Sequence, residues 1–226
     1  MSHAVVWNTD QEESVMADVK DHSEHWNHIY RSRSESEMSW YQPHLQLSLD
    51  IILRTGASRT ASIIDVGGGS STLADDLLNI GFTNITVLDL SPSALDKSRR
   101  RLGQRAGRVN WVLGDVTTIE FEPDAYDVWH DRAVFHFLTE ERQRRRYVQQ
   151  VCRSVRVGGH VIVAAFGPEG PERCSGLPVV RYSDRQLHAE FGGAFTLIES
   201  VIEEHHTPWG AEQEFVYCSC RKTHPC

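Results

Sequence analysis

Asp65-Val66-Gly67-Gly68-Gly69-Ser70-Ser71 follows a short apolar run, Ser62–Val66, and leads into an amphipathic stretch, Thr72–Ile80. A strand that enters a glycine turn and leaves as a helix is how an open α/β sheet begins. Glycine lets the backbone turn sharply and pass close to a ligand. A dinucleotide loop of the form G-x-G-x-x-G, counted from Gly67 and Gly69, wants a third glycine where Thr72 stands. That fingerprint also has no use for an acid two residues ahead of its first glycine, the place of Asp65. A carboxylate there suits a cationic ligand better than a pyrophosphate.

The rhythm continues on both sides of the loop. Ile85–Leu88, Val109–Leu113, Tyr126–Trp129 and His160–Phe166 read as strands. Pro92–Leu102 and Glu140–Val155 read as helices, the second closed by Gly158-Gly159 as a stop. This alternation predicts a parallel sheet with helices on both faces. Gly167–Leu177 reads as a loop, and Ser183 caps a helix over Asp184–Phe191. Phe195–Glu203 and Glu214–Cys220 are a closing pair of strands joined through Thr207-Pro208-Trp209-Gly210. Residues 1–60 are more polar and carry three tryptophans. Helical spacing over His25–Tyr30 and Pro43–Leu53 makes them a helical lid, too short for a core of its own, with the sheet domain over 61–226.

Open α/β sheets bind ligands beyond the C-terminal ends of their strands. Three acids fall there in turn. Asp65 ends the first strand. Asp89, in Leu88-Asp89-Leu90-Ser91, ends the second, where one carboxylate accepts from the two hydroxyls of a ribose. Asp115, in Gly114-Asp115-Val116, ends the third, within reach of an adenine amino group. Trp129-His130-Asp131-Arg132 ends the fourth, where chemistry is expected. Either of Asp89 and Asp115 alone reads equally well as a helix cap; in register with the glycines they read as a binding site.

These residues resemble the class I methyltransferases, whose first motif is an acid-x-Gly-x-Gly loop matched here by Asp65, Gly67 and Gly69. The resemblance covers roughly residues 40–220. It implies a doubly wound, mostly parallel seven-stranded sheet in the order 3-2-1-4-5-7-6, with the last strand antiparallel. It implies S-adenosylmethionine held along Asp65, Gly67, Gly68, Gly69, Ser71, Asp89, Leu90, Ser91, Asp115, Val116 and His130, under the cover of Trp40 and Tyr41. Trp40-Tyr41 and Asp127–Arg132 further resemble the citrate synthase and elongation-factor lysine methyltransferases. The amino-group nucleic-acid methylase motif is absent after the fourth strand, where His130-Asp131-Arg132-Ala133 stands instead.

Methyl transfer from a sulfonium needs alignment and exclusion of water more than it needs activation. A base is required only for an acceptor that arrives protonated. Asp131 and His130 are the catalytic candidates by topology, histidine being suited to proton removal near neutrality. His136 lies in an apolar run and reads as a core histidine. Arg173–Leu177, Arg181-Tyr182 and His205–Trp209 are loop candidates for the acceptor pocket. Cys218-x-Cys220, with His224 and Cys226, does not match zinc-ligand spacing, so no metal is expected.

Bulk properties narrow the alternatives. A chain of 226 residues with 40% hydrophobic and 24% charged residues fits one globular domain. Its net charge of -8 disfavours nucleic acid as a partner. Arg99-Arg100-Arg101 and Arg142, Arg144-Arg145-Arg146 read as solvated helix faces. No apolar run spans a bilayer, and Met1–Asp10 has no signal-peptide pattern, so no membrane association is expected. Five cysteines read as reduced thiols in a cytoplasm. The expected function is transfer of a methyl group to a small molecule or a protein side chain. A Rossmann-type oxidoreductase and a non-catalytic cofactor-binding module are the alternatives.

Overall fold

The computed structural model describes residues 22–226. Expectations for residues 1–21, including that for Met1–Asp10, lie outside the described residues. Helix α1 covers 22–32 and α2 Gln46–Arg54. The chain continues as β1 (Ser62–Val66), α3 (Leu73–Asn79), β2 (Asn84–Asp89), α4 (Pro92–Leu102), β3 (Val109–Leu113), β4 (Tyr126–Arg132), α5 (Glu141–Ser154) and β5 (Val155–Phe166). A small hairpin of β6 (Arg173–Cys174) and β7 (Leu177–Pro178) precedes α6 (Asp184–Phe191), β8 (Phe195–His206) and β9 (Glu212–Lys222).

The main sheet has seven strands in the order β3-β2-β1-β4-β5-β9-β8. Only β9 runs against its neighbours, pairing antiparallel with both β5 and β8. Counting long strands alone, this is the expected 3-2-1-4-5-7-6 order. The inner parallel strands β1, β2, β4 and β5 are largely buried on both faces, and alternation divides their side chains between two cores. Ile63, Val128 and Ile162 join α2, α3 and α4 on one face. Ile64, Trp129, Val161 and Val163 join α5 and α6 on the other.

Three expectations need correction. The Gly158-Gly159 stop lies inside β5, because α5 ends at Ser154 and the strand begins at the next residue. The glycines instead relieve a register shift, in which Tyr126 pairs with Val155 but Val128 pairs with His160. A Cβ at Gly159 would lie 3.0 Å from the Asp127 carbonyl oxygen. The lid is also smaller than 1–60, since Leu49, Ile51 and Ile52 of α2 are core residues. What covers the strand ends is α1 and the segment that follows it. Finally, Cys152 of α5 and Cys226 form a disulfide, leaving Cys174, Cys218 and Cys220 free and buried. Among the described residues, no helix is long and apolar enough to cross a membrane.

Candidate active site

The parallel strands end on one side of the sheet, and a cleft opens there. Gly67, Asp89, Leu90, Asp115 and Val116 line it on the sheet side. Tyr30 and Trp26 of α1, Trp40, and Phe137 face them, with Cys174, Leu177 and Pro178 from the β6–β7 hairpin. The roof is aromatic. Trp26 packs edge-on against Trp40 at 5.8 Å and against Phe137 at 5.0 Å. Trp40 was expected there; Trp26 and Tyr30 were not singled out, although their spacing on one helix face is readable in the sequence.

The glycine loop leaves no room for side chains. Gly67 has φ +66°, and a Cβ there would lie 2.0 Å from a Val134 methyl. At Gly68 it would meet the Asp65 carboxylate at 2.4 Å, and at Gly69 the Asp89 carboxylate at 2.6 Å. The Gly67 N–H donates to the Leu88 carbonyl at 2.7 Å, which ties the loop to β2. From behind, Arg101 donates to the Ser70 and Ser71 carbonyls and pairs with Asp75 and Glu35. The expectation of a solvated arginine run therefore fails at Arg101, which braces the loop.

Asp89 Oδ1 accepts from the Ser91 N–H at 2.7 Å. Burial pushes its carboxyl up to about 7, the Ser91 N–H pulling it down and the Asp65 charge adding to the rise. Asp115 Oδ1 accepts from both the N–H and the hydroxyl of Thr117, which holds the Asp115–Val116 turn at the cleft. Ser91 is fully buried as the N-cap of α4, accepting from the Ala94 N–H. Ser71 and Tyr41 line a smaller recess behind the glycine loop, together with Asp65, Gly68, His130 and Arg132.

Asp131 and His130 do not meet at the cleft. Consecutive strand residues point to opposite faces. His130 faces α2, its Nδ1 2.7 Å from Asp65 Oδ1 and its Nε2 2.9 Å from the Ser48 hydroxyl. Asp131 faces α5, where its carboxylate accepts from the Val134 and Phe135 N–H groups and from the Tyr147 hydroxyl. Both side chains are fully buried. Burial pushes the Asp131 carboxyl up to about 7 against these hydrogen bonds. Neither side chain lines the main cleft, and His130 lines the smaller recess beside it. The residue that does reach the cleft from this strand end is Arg132.

Arg132 donates to the Tyr217 hydroxyl, the Trp40 carbonyl and Glu203, and lies 4.3 Å over the Phe215 ring. Gln42 donates to Glu203 and to His205 Nδ1, while His205 Nε2 donates to the Ser39 carbonyl at 2.6 Å. Residues 39–42 are thereby fastened to β8 and β9. Of the expected acceptor loops, Cys174 and Leu177 line the cleft. His205 acts in this fastening, Arg181 donates to the Pro168 and Gly170 carbonyls, and Trp209 is exposed at the hairpin tip. His136 is a core residue, taking the Phe166 N–H on Nδ1, and burial pushes its ring down to about 3. Cys218 and Cys220 are buried in the core against α6 and do not converge with His224.

Comparison with known proteins places this cleft in context. The family description "Methyltransferase domain" matches residues 63–159. A mouse protein, "eEF1A lysine and N-terminal methyltransferase", is 25% identical over 146 residues, covering 62% of this chain and 21% of its own length. The chain thus spans about a fifth of the length of such curated relatives. Among solved structures, a protein studied in the conversion of a disulfide bond into a thioacetal group during echinomycin biosynthesis superposes with a TM-score of 0.72 at 17% identity, over 89% of this chain and 92% of that one. The N-methyltransferase NodS from Bradyrhizobium japonicum, in complex with S-adenosyl-L-homocysteine, superposes with a TM-score of 0.63 at 15% identity, over 79% and 85%. At these identities the structural likeness is one of fold.

Proposed function

We propose that this chain is a class I, S-adenosylmethionine-dependent methyltransferase that binds that methyl donor in the cleft and passes its methyl group to an acceptor lodged under the aromatic roof, a reading supported by the methyltransferase-domain match over residues 63–159. The observation that carries this reading is the side-by-side placement of Asp89 and Asp115 on one cleft, next to glycines whose hydrogens face Asp65, Asp89 and Val134. Asp89 accepts from the ribose hydroxyls, Asp115 and Val116 hold the adenine end, and Gly67–Gly69 let the backbone approach. When bound, the sulfonium supplies an activated methyl group. The chain's own residues orient the partners and exclude water, with Trp26, Tyr30 and Trp40 facing the cationic centre. An acceptor that arrives deprotonated needs no base, which fits a cleft from which Asp131 and His130 are both withdrawn.

The acceptor is a small molecule or a protein side chain, and Trp40, Phe137, Leu177 and Pro178 give its part of the cleft an apolar lining. Titration calorimetry with S-adenosylhomocysteine tests the reading, and folded protein that shows no heat at millimolar ligand would end it. Radiolabelled methyl donor incubated with cell extract, split by protease sensitivity of the label, separates protein from small-molecule acceptors.

The raised Asp89 carboxyl sets a pH dependence. Its folded value lies above the unfolded one, so the native state holds a proton the unfolded chain has released. That contribution to stability is full below the ordinary carboxyl range and is lost as pH rises through about 7, as is the like contribution of Asp131. Ligand binding runs the other way, because two hydroxyl donors need the ionised carboxylate. Affinity for S-adenosylhomocysteine is expected to rise about tenfold between about pH 6 and pH 8 while the ligand-free melting temperature drifts down. An affinity that is flat over this range would separate Asp89 from the ribose.

A further inference from the structure

Trp40 faces the cleft from a segment with no regular structure of its own. Met38 and Leu45 are buried at the two ends of that segment. Between them the Tyr41 N–H turns back to the Met38 carbonyl, and among the described residues no backbone group of 39–45 bonds the backbone of the sheet. Side chains make the attachment instead. His205 Nε2 donates to the Ser39 carbonyl at 2.6 Å, and Arg132 donates to the Trp40 carbonyl at 3.1 Å. These carbonyls belong to the two peptide planes on either side of the Trp40 Cα. Each plane is rigid, so pinning both fixes the direction in which the indole leaves the chain. One pin comes from β8 and the other from β4.

The donor and acceptor senses of this cluster admit one arrangement. A carbonyl only accepts, so the His205 proton sits on Nε2, and Nδ1 of the neutral ring is left as an acceptor. Gln42 Nε2 donates to it at 3.1 Å and gives its second N–H to Glu203 Oε1 at 3.0 Å. Glu203 Oε2 accepts from Arg132 and from the Tyr217 hydroxyl. Burial and the Arg132 charge hold the His205 ring below its ordinary value; His206 adds to them, while the Ser39 carbonyl and Glu203 pull the other way. From β9 the ring meets Phe215 and, in register, Gln213, neither of which titrates. The neutral ring is the state that this arrangement requires.

We propose that His205, Gln42 and Glu203 are positioning residues of the methyl-donor site, acting through Trp40 to hold its indole over the cleft. The inference rests on the reading of the cleft as an S-adenosylmethionine site. Apolar side chains of similar volume would attach a loop at least as firmly as a buried ion pair and a neutral histidine. What the polar cluster adds is direction, because hydrogen bonds fix geometry where apolar contacts let a segment slide.

Calorimetry with S-adenosylhomocysteine, and chymotrypsin cleavage after Trp40 or Tyr41, test this on the full chain. Gln42→Ala is expected to weaken binding by about tenfold at about pH 8 and to speed that cleavage. In a Trp40→Ala background the same change is expected to add less than about twofold, since it acts through the indole. Gln42→Glu sets an acceptor against both His205 Nδ1 and Glu203, and is expected to bind at least as weakly at about pH 8. At about pH 6 it is expected to recover to within about threefold of the wild type at that pH, because the imidazolium Nδ1–H donates to the introduced carboxylate. A merely structural tie lowers the melting temperature and leaves the affinity of the folded fraction unchanged. That outcome, a loss undiminished in the Trp40→Ala background, or a Gln42→Glu deficit that persists at the lower pH overturns the assignment. If the folded wild type binds no S-adenosylhomocysteine, the donor reading falls, and the cleavage rates still judge the attachment: equal rates in the wild type and both Gln42 variants refute it.

Discussion

Asp89→Ala is expected to weaken S-adenosylhomocysteine binding by about 100-fold to 10,000-fold, from the loss of two charge-assisted hydrogen bonds at about 1.5–3 kcal/mol each. The carboxylate stands on the cleft at the end of β2 and is held in place by the Ser91 N–H. Alanine leaves the ribose hydroxyls facing an apolar gap with no acceptor. The same change strips the buried Ser91 N–H of its acceptor, at about 1–3 kcal/mol, but lifts the cost of a buried carboxylate above neutral pH, so the stability of the ligand-free protein is expected to change little. Burial disfavours the ionised group and Asp65 repels it, and both costs disappear with the side chain. A large loss of binding beside a small change in stability distinguishes a ligand-holding carboxylate from a structural cap. Calorimetry and a thermal scan on one preparation read both, and a variant that lost stability while binding normally would return Asp89 to a capping role.

Asp131→Ala is expected to do the reverse. Its carboxylate accepts from two backbone N–H groups and from the Tyr147 hydroxyl, which in turn accepts from the Trp129 indole at 2.8 Å. All of these residues but the half-buried Val134 are buried. Removing the acceptor leaves three donors unsatisfied, which points to a loss of about 3–5 kcal/mol and a melting temperature lower by about 10 °C. Asp131→Asn keeps one acceptor and the shape, and a smaller loss is expected. Nucleotide affinity of the folded fraction stays near the wild-type value. A chain that kept its melting temperature but lost methyl transfer would restore Asp131 to catalysis.

Several of these residues were readable in the chain and several were not. The glycine loop, the acids at the ends of β1, β2 and β3, and the strand order follow from local pattern. An apolar run, a turn and an amphipathic helix are short-range features, and a parallel sheet admits few ways of joining them. The limits of β3 and α4 coincide with the reading of Val109–Leu113 and Pro92–Leu102, since Pro92 at the first helical turn and Ser91 before it mark the start by chemistry alone. The long helix was misjudged at its end because a glycine pair has two uses, a helix stop and a sheet bulge. Which one applies depends on the register with β4.

The roles at the end of β4 show the limit most clearly. His130, Asp131 and Arg132 are adjacent in sequence, and proximity suggested one shared site. The pleat sends His130 and Arg132 toward α2 and the cleft roof, and Asp131 toward α5. Period-two alternation was a signal available in the sequence. The partners that decide each role lie far away along the chain, on Ser48, Tyr147, Glu203 and Tyr217.

The feature that decided the fold, Asp65 through Ser71, was set by the sequence alone, because backbone freedom at Gly67 and Gly69 and the placing of an acid before them are properties of a few neighbouring residues. Only the tertiary structure decided what surrounds that loop. Arg101 braces it, α1 roofs it, and Asp65 and Arg132 face one recess from two different strands. Those relations depend on side chains converging from elements far apart in sequence, and that convergence exists only once the sheet is assembled and both its faces are packed.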